Sequence, residues 1–165
     1  MNQTDLFAKD MPRPKSYDKA IIQAAAESFG AKMAMTYSEW SPEEWAEDLV
    51  KVYASHKDGY ELAKDLERHG YDPDSEMVGH LDDFGFEVSR VHREAVKTWV
   101  TSVGFEPAYS VDDHVEVKRS FSTDPNHGKI TEIRHDSAEY LVRTNPESNS
   151  ALVVAAEDIV GIYGN

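Results

Sequence analysis

The chain has no cysteine, which excludes disulfide staples and thiolate metal sites. It has no run of about 18 apolar residues, the length that a bilayer core about 30 Å thick demands of a spanning helix. It lacks a glycine-rich phosphate loop, a dinucleotide fingerprint, a Gly-x-Ser-x-Gly elbow and a His-Glu-x-x-His pair. Its histidines, at 56, 69, 80, 92, 114, 127 and 135, have no recognised ligand spacing. No catalytic residue, resident metal or cofactor can be named from these patterns, so a non-enzymatic protein is expected. The first fifteen residues, MNQTDLFAKDMPRPK, have no apolar core of the kind a secretory signal carries and read as a disordered leader. A cysteine-free chain of this kind fits the cytoplasm.

Positive charge is also scarce. Seventeen Lys and Arg stand against 31 Asp and Glu, a net charge of −14. Such a chain is repelled by phosphate backbones and anionic membranes, so neither direct nucleic-acid binding nor membrane binding is expected. It is attracted to basic surfaces, including the nucleic-acid clefts of other proteins.

What is present falls into two grammars. At 165 residues the chain can bury roughly 70% of its unfolded surface. From Ser16 to Gly104 apolar residues recur at helical spacing; beyond Pro107 valine and isoleucine alternate between turn residues. The fold class expected is α+β: a four-helix bundle-like domain over 16–105, then a five-stranded β-domain over 106–165.

The first helix starts near Ser16 and turns Ile21, Ile22, Ala25 and Phe29 inward, with Gly30 either ending it or absorbed. Ser41, Pro42 and Glu44 form the start of a second as a capping box, with Trp40 stapled to Trp45. Asp58 and Glu61 open a third, with Tyr60, Ala63 and Leu66 inward and Gly70 as its left-handed stop. A fourth runs from Asp72–Asp74 to Gly104 along one stripe of Met77, Leu81, Phe84, Val88, Val91, Ala95 and Trp99, with a kink at Gly85 as an option. The strands expected are 114–119, 128–135, 139–144 and 150–156. A turn over Asp124–Gly128 leads into the second. A single helical turn, Ala155–Asp158, precedes a short fifth strand, IVGIY.

Val111-Asp112-Asp113-His114-Val115-Glu116-Val117, Gly128-Lys129-Ile130-Thr131-Glu132-Ile133, Tyr140-Leu141-Val142-Arg143 and Ala155-Ala156-Glu157-Asp158-Ile159 together resemble an SH3-like small barrel of the Tudor/KOW type. The resemblance covers about residues 109–163. It implies a closed five-stranded barrel acting as an interaction module, with oligomerisation among its uses. Ten acids against five bases from Pro107 on argue against a nucleic-acid stripe, although Lys118, Arg119, Lys129 and Arg143 could gather.

Two surfaces are candidates for function. Glu76, His80, Asp83 and Glu87 are neighbours on one face of a continuous helix. They read as a solvated flank; as metal ligands they would make a metal-dependent hydrolase. The stronger signal is charge: between Glu39 and Glu94 there are sixteen acids and six bases. Carboxylates spaced along helices can imitate phosphates, which a duplex carries about every 1.7 Å of axis. Glu43, Glu47, Asp65, Asp82 and Asp83 are the expected partner-binding acids, with Phe86 an aromatic on the polar side. The function expected is a small acidic protein that binds and blocks another macromolecule, plausibly a basic nucleic-acid-handling complex, as a DNA mimic. Phage and mobile-element anti-defence inhibitors are analogous in size, acidity and lack of catalytic motifs. An adaptor that oligomerises through its barrel is the alternative.

Overall fold

The computed structural model describes residues 12–118, 126–147 and 149–163. Two compact units divide at Ala95/Val96, inside a helix and before the expected boundary at 105/106. Of the expected leader, residues 1–11 lie outside the described residues. Pro12–Lys15 are described and held: His92 Nε2 lies 2.9 Å from the Pro14 carbonyl, and the Lys15 N–H donates to Asp18.

Among the described residues five helices form where four were expected: α1 Lys19–Thr36, α2 Pro42–Val52, α3 Gly59–Glu67, α4 Ser75–Asp82 and α5 Phe84–Val103. The first starts at Lys19 rather than Ser16. Gly30 is absorbed into it, and a Cβ there would stand 2.8 Å from the Pro42 carbonyl. That absence lets α1 and α2 cross closely. Both expected capping boxes are made, Ser41 with Glu44 before α2 and Asp58 with Glu61 before α3. Gly70, at φ +94, ends α3 as expected: its N–H reaches the Glu67 carbonyl and that of Tyr71 the Leu66 carbonyl.

Three expectations change. Tyr60 is 64% exposed, and Leu62 takes its place beside Ala63 and Leu66. Trp40 stacks on Tyr71 with ring centroids 4.2 Å apart, and Tyr71 in turn packs on Trp45. The long fourth helix is broken at Asp83, not kinked at Gly85. Asp83 keeps right-handed backbone angles, its N–H closing α4 on His80 and Leu81 while its carbonyl opens α5 by accepting from Phe86 and Glu87. The core of this unit is Phe29, Met33, Trp45, Leu49, Leu62, Leu66, Leu81, Phe84 and their neighbours.

From Val96 on, α5 belongs to the second unit. Val96 and Val100 are buried with Ala138 of a hairpin turn, and Trp99 is partly buried against them. The five strands are β1 His114–Val117, β2 Asn126–Arg134, β3 Glu139–Arg143, β4 Leu152–Ala155 and β5 Ile159–Ile162, with a 3-10 turn at Ala156–Asp158. Asn126–Gly128, expected as turn, belongs to β2; Arg119, Asp124 and Pro125 lie outside the described residues. The sheet is antiparallel in the order β4-β3-β2-β1-β5 and is not closed: β4 and β5 are its edges. Val115, Val117, Ile130, Tyr140, Val142, Val154 and Ile159 form its core. The buried Tyr140 hydroxyl accepts the Ala108 N–H at 3.1 Å and so ties down the segment that follows α5.

Candidate functional site

The acids of the helical unit divide into those that build it and those that remain on its surface. Asp58, Glu44, Glu61 and Asp74 cap helices. Asp65 holds Lys57 at 2.6 Å and Arg68 at 2.9 Å, and the Lys57 ammonium in particular keeps its carboxyl below the usual range. Asp82 accepts the Gly59 N–H at 2.6 Å, so it fastens the end of α4 to the start of α3. Asp48, which the sequence did not single out, gathers Lys51, His69 and the Tyr71 hydroxyl. Burial, and then Asp48 beside it, pushes the Tyr71 phenol upward.

Asp65 and Asp82 each also make a hydrogen bond within the fold. Of the expected set, Glu43, Glu47, Asp82 and Asp83 are exposed, and Asp65 is half-buried. Glu43 and Glu47 lie one turn apart on α2, where residues four apart share a face. Glu47 pairs with Lys51 at 2.8 Å. Phe86 is 74% exposed.

The face of residues 76–87 is not one flank. Glu76 and His80 are on α4, 3.8 Å apart. Glu87 is on α5, only 7% exposed, and binds Arg90 through both oxygens at 2.7 and 3.1 Å, with Lys32 at 3.4 Å. The Arg90 hydrogen bonds hold its carboxyl down at about 2 against the desolvation of burial, with help from Ser28 and Lys32. Among the described residues no three His, Asp or Glu converge as metal ligands would.

His80, Asp83, Phe86 and Glu87 do converge on a cleft of about 540 Å³, which they share with Phe29, Lys32, Met33, Arg90 and Arg93. Lys32, from α1, and the two arginines of α5 are cations the sequence reading missed. The i to i+3 spacing of Glu87 and Arg90 was the available signal. The cleft offers an aromatic ledge beside mixed charge, with no nucleophile and base in hydrogen-bond reach of each other.

No helix among the described residues is long and apolar enough to cross a membrane. Compared with protein-family models, with curated proteins and with solved structures, the chain matches none.

Proposed function

We propose that this is a small acidic, non-enzymatic interaction protein that binds and blocks a basic macromolecular partner, such as the nucleic-acid cleft of a nucleic-acid-handling complex. The observation that carries it is the sixteen acids against six bases between Glu39 and Glu94, with Glu43, Glu47, Asp82 and Asp83 exposed. Phe86, exposed beside Asp83 on the rim of the cleft, supplies an apolar anchor of the kind that carries binding energy at interface centres. The action is that of a DNA mimic, and an anti-defence inhibitor working in a host cytoplasm is the biological setting it suits.

A second reading is an adaptor whose sheet oligomerises. It is favoured by the two open edges, β4 and β5, which carry exposed Val153, Val160 and Ile162. The strand order and the 3-10 turn before β5 support an SH3-like barrel as the parent architecture of that unit.

The deciding experiment is capture from lysate on immobilised protein, elution by a salt gradient, and competition with duplex DNA. Release by moderate salt and by DNA supports the mimic. A partner retained at high salt, or lost only when the sheet unit is altered, refutes it in favour of the adaptor.

A further inference from the structure

The ladder of the sheet brings together four residues that are far apart in sequence. His114 of β1 lies opposite Lys129 of β2, and Lys129 lies opposite Arg143 of β3. Ile162 lies opposite Val115, and the Tyr163 N–H donates to the His114 carbonyl at 2.8 Å, so Tyr163 continues the same row. Residues directly opposite share a face. The row Tyr163–His114–Lys129–Arg143 thus crosses the sheet opposite the core face, where Val115, Ile130 and Val142 are buried. It lines a pocket of about 540 Å³ that also takes in His127 and Thr131.

The chemistry of this pocket is specific. At one end the Tyr163 ring, half exposed, is stacked with the His127 ring at 3.7 Å and 28°. At the other end Arg143 meets no carboxylate among the described residues, in a chain where acids outnumber bases 31 to 17. Its Nε and the His127 Nδ1 are buried without a hydrogen-bond partner among those residues. Lys129, next to Arg143, is paired with Asp112 at 2.7 Å, which also lines the pocket, and Asp112 is held at φ +78. Strands stand about 4.8 Å apart, so the Tyr163 ring and the guanidinium are separated by about 14 Å at the backbone, less the reach of two long side chains. That span suits a molecule with a planar ring at one end and an anion at the other, and it is too long for a bare phosphate or acetate to use both.

We propose that the pocket binds a mononucleotide-sized ligand, its ring stacked on Tyr163 and its phosphate between Arg143 and Lys129. Base–aromatic stacking and charge-assisted hydrogen bonds to phosphate are the two contributions that recognise such a molecule. A polymer is disfavoured: Glu116, opposite His127, puts a negative charge on the same face, and the chain's net −14 opposes a long polyanion. This inference is independent of the acidic helical surface.

The test is titration of the full ¹⁵N-labelled chain, followed by amide NMR shifts, with AMP, adenosine, inorganic phosphate, a deoxyadenosine decamer and an acidic peptide. AMP is expected to shift the His114, Lys129, Arg143 and Tyr163 amides saturably, about tenfold more tightly than adenosine or phosphate alone. Arg143→Gln and Tyr163→Ala should each weaken AMP about tenfold or more, Arg143→Lys less, and Lys64→Gln, on α3, not at all. Unchanged shifts elsewhere in each spectrum report that the variant is folded. The inference is overturned by no saturable shift up to about 10 mM AMP, or by affinity indifferent to Arg143→Gln. It is equally overturned if the decamer or the acidic peptide binds the row more tightly than AMP.

Discussion

Glu87 shows how one residue's role changes once its surroundings are known. On an unbroken helix it falls at the edge of a wet face; in the structure it sits under Arg90 and Lys32 with both oxygens engaged. Its folded-state pKa, about 2, is depressed from an ordinary 4.5. The stabilisation from a depressed carboxyl is complete above the unfolded value and is lost as pH falls through the folded one. Stability should therefore drop between about pH 4.5 and 2. Arg90 and Lys32 stand half or more in solvent, so screening trims the pair to about 1–2 kcal/mol. Glu87→Gln should lose that amount at pH 7, measured by urea unfolding, and should flatten this part of the acid limb. A variant as stable as the parent at pH 7 would show that the pair contributes nothing net. The Glu87–Arg90 spacing was legible in the sequence. Its burial was not, because that follows from where the helix breaks.

That break belongs to the scale of elements. Met77, Leu81, Phe84 and Val88 keep a helical rhythm straight through Asp83, and Asp83 itself stays right-handed. Neither periodicity nor a glycine or proline at position 83 itself marks the break, so the sequence could not place it. The capping boxes, by contrast, were readable, because their chemistry is local: a side-chain acceptor three residues from a donor. The join between α3 and α4 combines both kinds of information. Asp58 was readable as a cap, but the Gly59 N–H bond to Asp82 spans 23 residues and was not. A Cβ on Gly59 would lie 2.3 Å from the Val78 carbonyl and 2.6 Å from the Asp82 nitrogen, both backbone atoms. Gly59→Ala should accordingly cost about 2 kcal/mol or more by forcing α3 and α4 apart. Asp82→Ala should cost about 1–2 kcal/mol by orphaning the N–H. Asp83→Ala, one residue on, should shift the thermal midpoint by less than either. If Asp82 and Asp83 prove equivalent in thermal melts, the join is not what fixes α4.

At the scale of the whole molecule, the chain falls into two compact units that divide within α5 rather than where helical spacing gives way to strand spacing. The point of division was not legible because helical spacing runs unbroken through Ala95, although Val88 is buried in the first cluster and Val96 and Val100 in another. Charge, too, was legible as an excess but not as a surface, since Asp48, Asp65 and Glu87 are drawn into ion pairs and Asp82, though exposed, holds the Gly59 N–H. The test of the acidic surface must therefore use acids outside that set. Glu43→Lys, Glu47→Lys and Asp83→Lys together move the net charge from −14 toward neutrality while removing only the exposed Glu47–Lys51 pair, worth under about 1 kcal/mol. Helix content and melting should change little. Association with the captured partner should slow steeply in the triple variant. In the parent it should slow as salt rises from about 0.05 to 0.5 M, where the screening length contracts from roughly 14 to 4 Å. Phe86→Ala should act differently, raising the dissociation rate with little effect on salt dependence, because an apolar anchor holds the complex rather than steering it. Stopped-flow or surface-binding kinetics separate the two. An on-rate insensitive to salt and to the triple reversal would remove the electrostatic basis of the mimic and leave the open edges of the sheet as the interaction surface to pursue.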